Sequence, residues 1–229
     1  MRNNIRVLMA IFFYCLVGQK QSYGETPDYV IPQISSDANK NTLIVFITGD
    51  GGYTSFSKGL LKYFNQDGYN QIVFDARKYF WTKKTPQVAS RDFERYIQLY
   101  LAKSKCDNIY LIGHSFSAGI LPFIINNFSK SLQKKIRHAT FLSPDRYASL
   151  EVTFATMLNV KQKPNEFEVI PEALKMKSIS SAYIFSRDDE EERASLFQNA
   201  GLKVTLLAGP HTYKRDFQAL YNAIKLNNL

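Results

Sequence analysis

The chain has few of the residues that commonly announce a chemistry. It carries two cysteines, three histidines and one tryptophan in 229 residues. Cys15 falls in the apolar start and Cys106 in the body, so no disulfide framework supports the fold, which must stand on its core. No cysteine–histidine spacing matches a zinc site, and no glycine-rich loop matches a P-loop or dinucleotide fingerprint, so neither a metal nor another cofactor is expected. No apolar run approaches the roughly 20 residues of a membrane-spanning helix, which excludes a multi-pass membrane protein. No internal repeat is present. At 45% hydrophobic and 21% charged residues, the composition also excludes a disordered chain or a coiled coil.

What is present begins with a leader. Arg2 and Arg6 precede an apolar stretch from Val7 to Val17, followed by polar residues with Ser22 and Gly24 as a small pair. This order describes a secretory signal peptide over residues 1–24, cleaved after Gly24. Bulky Tyr14 before Cys15 argues against a lipoprotein site. Residues 25–229 then form a single domain, and loss of Arg2, Arg6 and Lys20 lowers the formal charge from +9 to +6.

The rest alternates between strand and helix. Thr42–Thr48 is a continuous apolar, β-rich run, the pattern of a strand buried on both faces. Gln71–Phe74, Asn108–Ile112, Arg137–Leu142, Ala182–Phe185 and Lys203–Leu207 repeat it. Between them, Phe56–Phe64, the segment opened by Pro86, the run to Phe128 and Arg215–Lys225 read as helices. Residues 151–169 are irregular and read as an excursion over the sheet. Parallel βαβ units follow, hence an α/β fold with a doubly wound, mostly parallel sheet and helices on both faces.

One strand-to-helix turn carries chemistry. Gly113-His114-Ser115-Phe116-Ser117 sits between a buried strand and a helix, the context in which G-x-S-x-G exposes a nucleophile. Serine replaces the second glycine but is small. In this chain order an acid follows a late strand and a histidine follows the last. His211, in Gly209-Pro210-His211, is the histidine in that place. The acid belongs to Asp188-Asp189-Glu190-Glu191-Glu192, and Asp188 is expected, with Asp189 as the alternative; the other carboxylates read as a solvated helix start. The oxyanion donors are expected at the backbone N–H groups of Phe116 and Asp50.

Beyond the elbow, Thr48-Gly49-Asp50-Gly51-Gly52-Tyr53, Asp75-Ala76-Arg77-Lys78-Tyr79-Phe80-Trp81 with Lys84-Thr85-Pro86, and Leu121-Pro122-Phe123 resemble a bacterial virulence family, that of VirJ and the C-terminal domain of AcvB. The resemblance runs from about Thr42 to the His211 loop. It implies a periplasmic α/β-hydrolase, and for AcvB-like domains hydrolysis of lysyl-phosphatidylglycerol at an anionic membrane surface. VirJ is also associated with type IV secretion, whose components are then possible partners. Ser117 stands where the family usually has glycine, Gly119 where it has an acid, and Thr212 where it often has a second histidine.

A cationic head group would meet Asp50, with Asp75 as a second acid, unless Asp50 only orders its turn. Tyr53 and Trp81 either wall the substrate pocket or belong to the core. Lys130, Lys134, Lys135 and Arg137 form the densest basic cluster, suited to anionic lipid or simply solvated. No nucleic-acid motif is present, and oligomeric state is not legible. Three readings therefore stand: an aminoacyl-phospholipid hydrolase, an esterase or lipase of other specificity, and a non-catalytic adaptor of a secretion apparatus.

Overall fold

Seven strands form one sheet in the order β1-β3-β2-β4-β5-β6-β7 in a computed structural model that describes residues 25–153 and 167–227. The leader expected over residues 1–24, and most of the irregular stretch expected over 151–169, lie outside the described residues. The strands are β1 Val30–Gln33, β2 Thr42–Ile47, β3 Asn70–Phe74, β4 Asn108–His114, β5 Ile136–Leu142, β6 Ser181–Ser186 and β7 Val204–Leu207. β2 to β7 run parallel, and β1 pairs antiparallel with β3 at one edge. The sequence pattern did not suggest β1. Its four residues include Pro32, which cannot donate to a ladder and is tolerated because the strand is at the edge.

The helices are α1 Ser55–Gln66, α2 Ala76–Tyr79, α3 Pro86–Ser104, α4 Phe116–Asn126, α5 Lys130–Gln133, α6 Val169–Ala173, α7 Arg187–Asn199 and α8 Phe217–Leu226. Pro86 takes the first helical position of α3, where its missing N–H costs nothing, and the Thr85 hydroxyl caps the helix at the Val88 N–H (3.3 Å).

Two apolar layers follow from the strand alternation. On one face Val45, Ile72, Leu111 and Phe141 pack under Phe93, Ile97, Ile120, Ile124 and Phe197 of α3, α4 and α7. On the other, Phe46, Val73, Tyr110 and Ile112 pack under Leu60, Phe64, Leu220 and Ile224 of α1 and α8. Central strands covered on both faces are why the sequence shows unbroken apolar runs there. This doubly wound architecture leaves the C-terminal strand ends open to loops, and those loops carry the candidate site. Among the described residues no helix is long and apolar enough to cross a membrane.

Candidate active site

Ser115 follows β4 with φ 53° and ψ −117°, a backbone conformation that costs a non-glycine residue on the order of 1–3 kcal/mol. The turn is held by its surroundings. The Ser115 N–H donates to the Leu142 carbonyl at 2.7 Å, tying the elbow to the end of β5. At Gly113 a Cβ would lie 3.0 Å from the Ser117 carbonyl oxygen and 3.1 Å from Ala118 backbone, so any side chain there would press on the backbone of the elbow. Ser117, in the place usually taken by the second glycine, is fully buried, and its hydroxyl donates to the Thr48 carbonyl. That hydrogen bond is how the turn accepts serine.

His211, beyond β7, reaches the elbow. Its Nε2 is 3.0 Å from Ser115 Oγ. Its Nδ1 is 2.5 Å from Oε1 of Glu190, a residue only 1% exposed. Glu190 Oε2 accepts the Ser186 N–H at 2.8 Å. Burial alone pushes the Glu190 carboxyl up, but hydrogen bonds from the His211 ring and the Ser186 amide outweigh it and hold the group below its ordinary value. An ionised Glu190 only accepts, so Nδ1 carries the proton and Nε2 is free to accept from Ser115.

The acid expected at Asp188, or else Asp189, is therefore corrected to Glu190. The Asp188 carboxylate accepts the Gly209 N–H at 3.3 Å, and the Asp189 carboxylate accepts the His211 N–H at 3.0 Å. Three successive acids thus grip one loop, two at its backbone and the third at the ring. The signal lay in the helix period. Glu190, Ala194 and Phe197 are the buried stripe of α7, at i, i+4 and i+7, so the apolar positions of the helix mark which carboxylate faces inward.

The other histidines are set apart by their environments. His114 stacks on Phe56 (4.2 Å between ring centres), and burial, with His211 nearby, lowers its pKa to about 3. His138 sits within β5, bound to Ser180 Oγ at 2.8 Å, and burial lowers its pKa to about 4. Neither reaches Ser115.

The turn after β2 lies against the elbow, since a Cβ at Gly49 would be 3.5 Å from Ser115 Cβ. Asp50 follows, half-buried. Burial pushes its carboxyl up, the Gly51 and Asp50 amides and the His211 ring pull it back, and Asp145 pushes it up again. No lysine or arginine among the described residues forms an ion pair with it. Asp145 is exposed and paired with Arg193, which also lies 3.5 Å from Glu190. Phe116 begins α4, so its N–H has no partner inside the helix.

The remaining expected substrate contacts are placed differently. Asp75 is 6% exposed and caps α2, its carboxylate accepting the N–H of Lys78 (3.1 Å) and of Tyr53 (3.2 Å). These bonds join the turn after β2 to α2 and give Asp75 a role in the fold. The Tyr53 hydroxyl accepts from Gln33 on the edge strand β1. Trp81 is 48% exposed beyond α2, and its neighbour Phe80 is the buried ring that packs on Phe116 (5.5 Å). The basic cluster Lys130, Lys134, Lys135 and Arg137 precedes or begins β5, whereas Ser115 follows the parallel neighbour β4. They lie at opposite ends of the sheet, about 20 Å apart at the usual rise per residue.

A mostly parallel, doubly wound sheet with a serine on a strained strand-to-helix turn defines the α/β-hydrolase fold. Solved structures share it: an α/β-hydrolase enzyme from a lagoon-sediment metagenome (TM-score 0.58, 14% identity, 87% of this chain and 95% of that one), the esterase Pf2001 of Pyrococcus furiosus (0.59, 17%, 83% and 81%) and MenH from S. aureus (0.57, 13%, 88% and 98%). No curated protein matches the sequence. The profile of the bacterial virulence protein VirJ family matches residues 41–228, and the chain belongs to that family.

Proposed function

We propose that this protein is a periplasmic serine esterase that cleaves the aminoacyl ester of lysyl-phosphatidylglycerol. The observation that carries the reading is the hydrogen-bonded series from Ser115 Oγ through the His211 ring to buried Glu190, on a strained elbow. Ser115 attacks the lysyl carbonyl as His211 Nε2 takes its proton, and Glu190 holds the imidazolium that forms. The Phe116 N–H and the turn at Asp50 face the oxyanion. Collapse expels the glycerol hydroxyl of the lipid, protonated by His211. Water, activated in turn by His211, then releases lysine and restores Ser115.

Asp50 supports a cationic substrate. A half-buried carboxylate with another acid nearby, and no lysine or arginine paired with it among the described residues, is relieved by an ammonium group. Membership of the VirJ family supports the link to virulence, and the leader expected over residues 1–24 is the ground for the compartment. The test is lysine release from vesicles containing lysyl-phosphatidylglycerol, with the chain from Glu25 onward and its Ser115→Ala variant side by side. Release that disappears with Ser115 is expected. Folded wild type that releases nothing yet hydrolyses acyl esters would move the reading to an esterase of other specificity. Inertness toward both would favour an adaptor.

A further inference from the structure

The loop that delivers His211 continues into an unusual turn. Tyr213, Lys214 and Arg215 have φ of 53°, 53° and 56°, three successive non-glycine residues in the left-handed region. Such a run is found only where something over-determines it. Here the fastening is the Tyr213 side chain, 2% exposed beneath the loop. Its hydroxyl donates to the Ile184 carbonyl at 2.9 Å and lies 2.5 Å from Ser143 Oγ. Ser143, at the end of β5, is also left-handed (φ 53°), and its N–H donates to that same carbonyl at 2.8 Å. One small cluster therefore joins the ends of β5 and β6 to the histidine loop.

We propose that Tyr213 and Ser143 are positioning residues for the Ser115–His211–Glu190 series: the phenol locks the left-handed turn that aims His211, and the Ser143 hydroxyl, donating to the phenol oxygen, holds that phenol on the Ile184 carbonyl. The inference rests on the proposed hydrolase reading. Tyr213 remains a protonated donor throughout the working range, because burial and the nearby Glu190 charge raise its phenol well above the ordinary value. The charged and titratable groups facing Glu190 are His211 from the loop, His114 from β4, Tyr213 from below and Arg193 from α7.

The test follows the second-order rate of Ser115 labelling by a fluorophosphonate as a function of pH, by intact-protein mass spectrometry on the full mature chain. Tyr213→Phe, which keeps the ring in the core, is expected to label at least about tenfold more slowly while melting near wild type, since a misaimed base is a catalytic loss. Ser143→Ala is expected to label about threefold more slowly, and Ser143→Thr, which keeps the hydroxyl, to restore the rate, a pattern a purely structural role would not produce. If Tyr213→Phe and Ser143→Ala both label within twofold of wild type, while His211→Ala is unreactive, the positioning role is overturned and the triad stands. If wild type itself does not label, or His211→Ala labels like wild type, the triad reading falls and this inference with it.

Discussion

The two ends of the parallel sheet are built from the same strands and serve opposite purposes. Among the described residues, Ser115, Ser143, Tyr213, Lys214 and Arg215 at the C-terminal end are non-glycine residues held at positive φ, and at the N-terminal end only Lys105, which ends α3, is. Asp50, Asp188, Asp189 and Glu190 gather at the first end. At the second, Lys105 and Lys135 rim a groove of about 510 Å³ over Leu101, Ala102, Cys106 and Leu132. Strain is thus concentrated where side chains must be aimed, and the relaxed end is left to solubility and surface charge.

The largest effect should come from the acid. Glu190→Gln keeps the shape but offers Nδ1 a poor partner and no charge, and about a thousandfold or greater loss of ester turnover is expected. Asp188→Asn, two residues earlier at the same end, touches only the Gly209 N–H and should stay within about threefold. Turnover measured on both variants decides the assignment. Interchanged effects would return the acid to Asp188.

Next comes packing. Gly113→Ala forces a methyl group against the Ser117 and Ala118 backbone and should cost about 2–4 kcal/mol by urea denaturation. Gly201, at the N-terminal end with φ 83°, has nothing within 4 Å of the added Cβ. Gly201→Ala should therefore cost only about 1 kcal/mol, the conformational penalty alone. Equal costs would show that crowding does not set the elbow glycine.

How far this division was legible beforehand follows from the range of the interactions. The buried strands and the elbow were readable because continuous apolar runs and Gly113-His114-Ser115 are local patterns. β1 was not, because four residues with a proline at an edge leave almost no periodic signal. The position of the acid run after a late strand does not say which carboxylate faces inward; helical phase, with Ala194 and Phe197 as its reference, selects Glu190 over Asp188 and Asp189. Tyr213 and Ser143 left no local trace at all. Their roles rest on contacts 70 and 29 residues apart, which no short window contains.

A histidine at each end makes the fold acid-sensitive. His114 and His138 have pKa values lowered to about 3 and about 4, mainly by burial, against an unfolded value near 6.5. Below pH 6.5 the unfolded chain binds protons that the native one refuses, so stability falls as pH falls, by up to about 1.4 kcal/mol per pH unit for each histidine. Above pH 6.5 neither contributes to the slope. Urea midpoints between pH 7.5 and 4.5 test this, and His138→Asn should flatten the acid side. A slope unchanged in that variant would mean that other groups dominate the acid limb.

The smallest catalytic effect should come from the basic end, where it also sharpens the question of how the protein meets a membrane. Lys134→Glu with Lys135→Glu alters residues about 20 Å from Ser115, so turnover of a water-soluble ester should be unchanged within error. Binding to vesicles rich in anionic lipid should weaken, each lysine near the surface contributing about 1 kcal/mol, and 0.5 M salt should abolish the difference. Docking through this end would hold Ser115 away from a bilayer. Hydrolysis of vesicle-borne lysyl lipid should then hold steady or rise in the double variant. A fall in parallel with binding would instead mean that the basic end delivers the enzyme to its substrate, and that the two ends act on one membrane event.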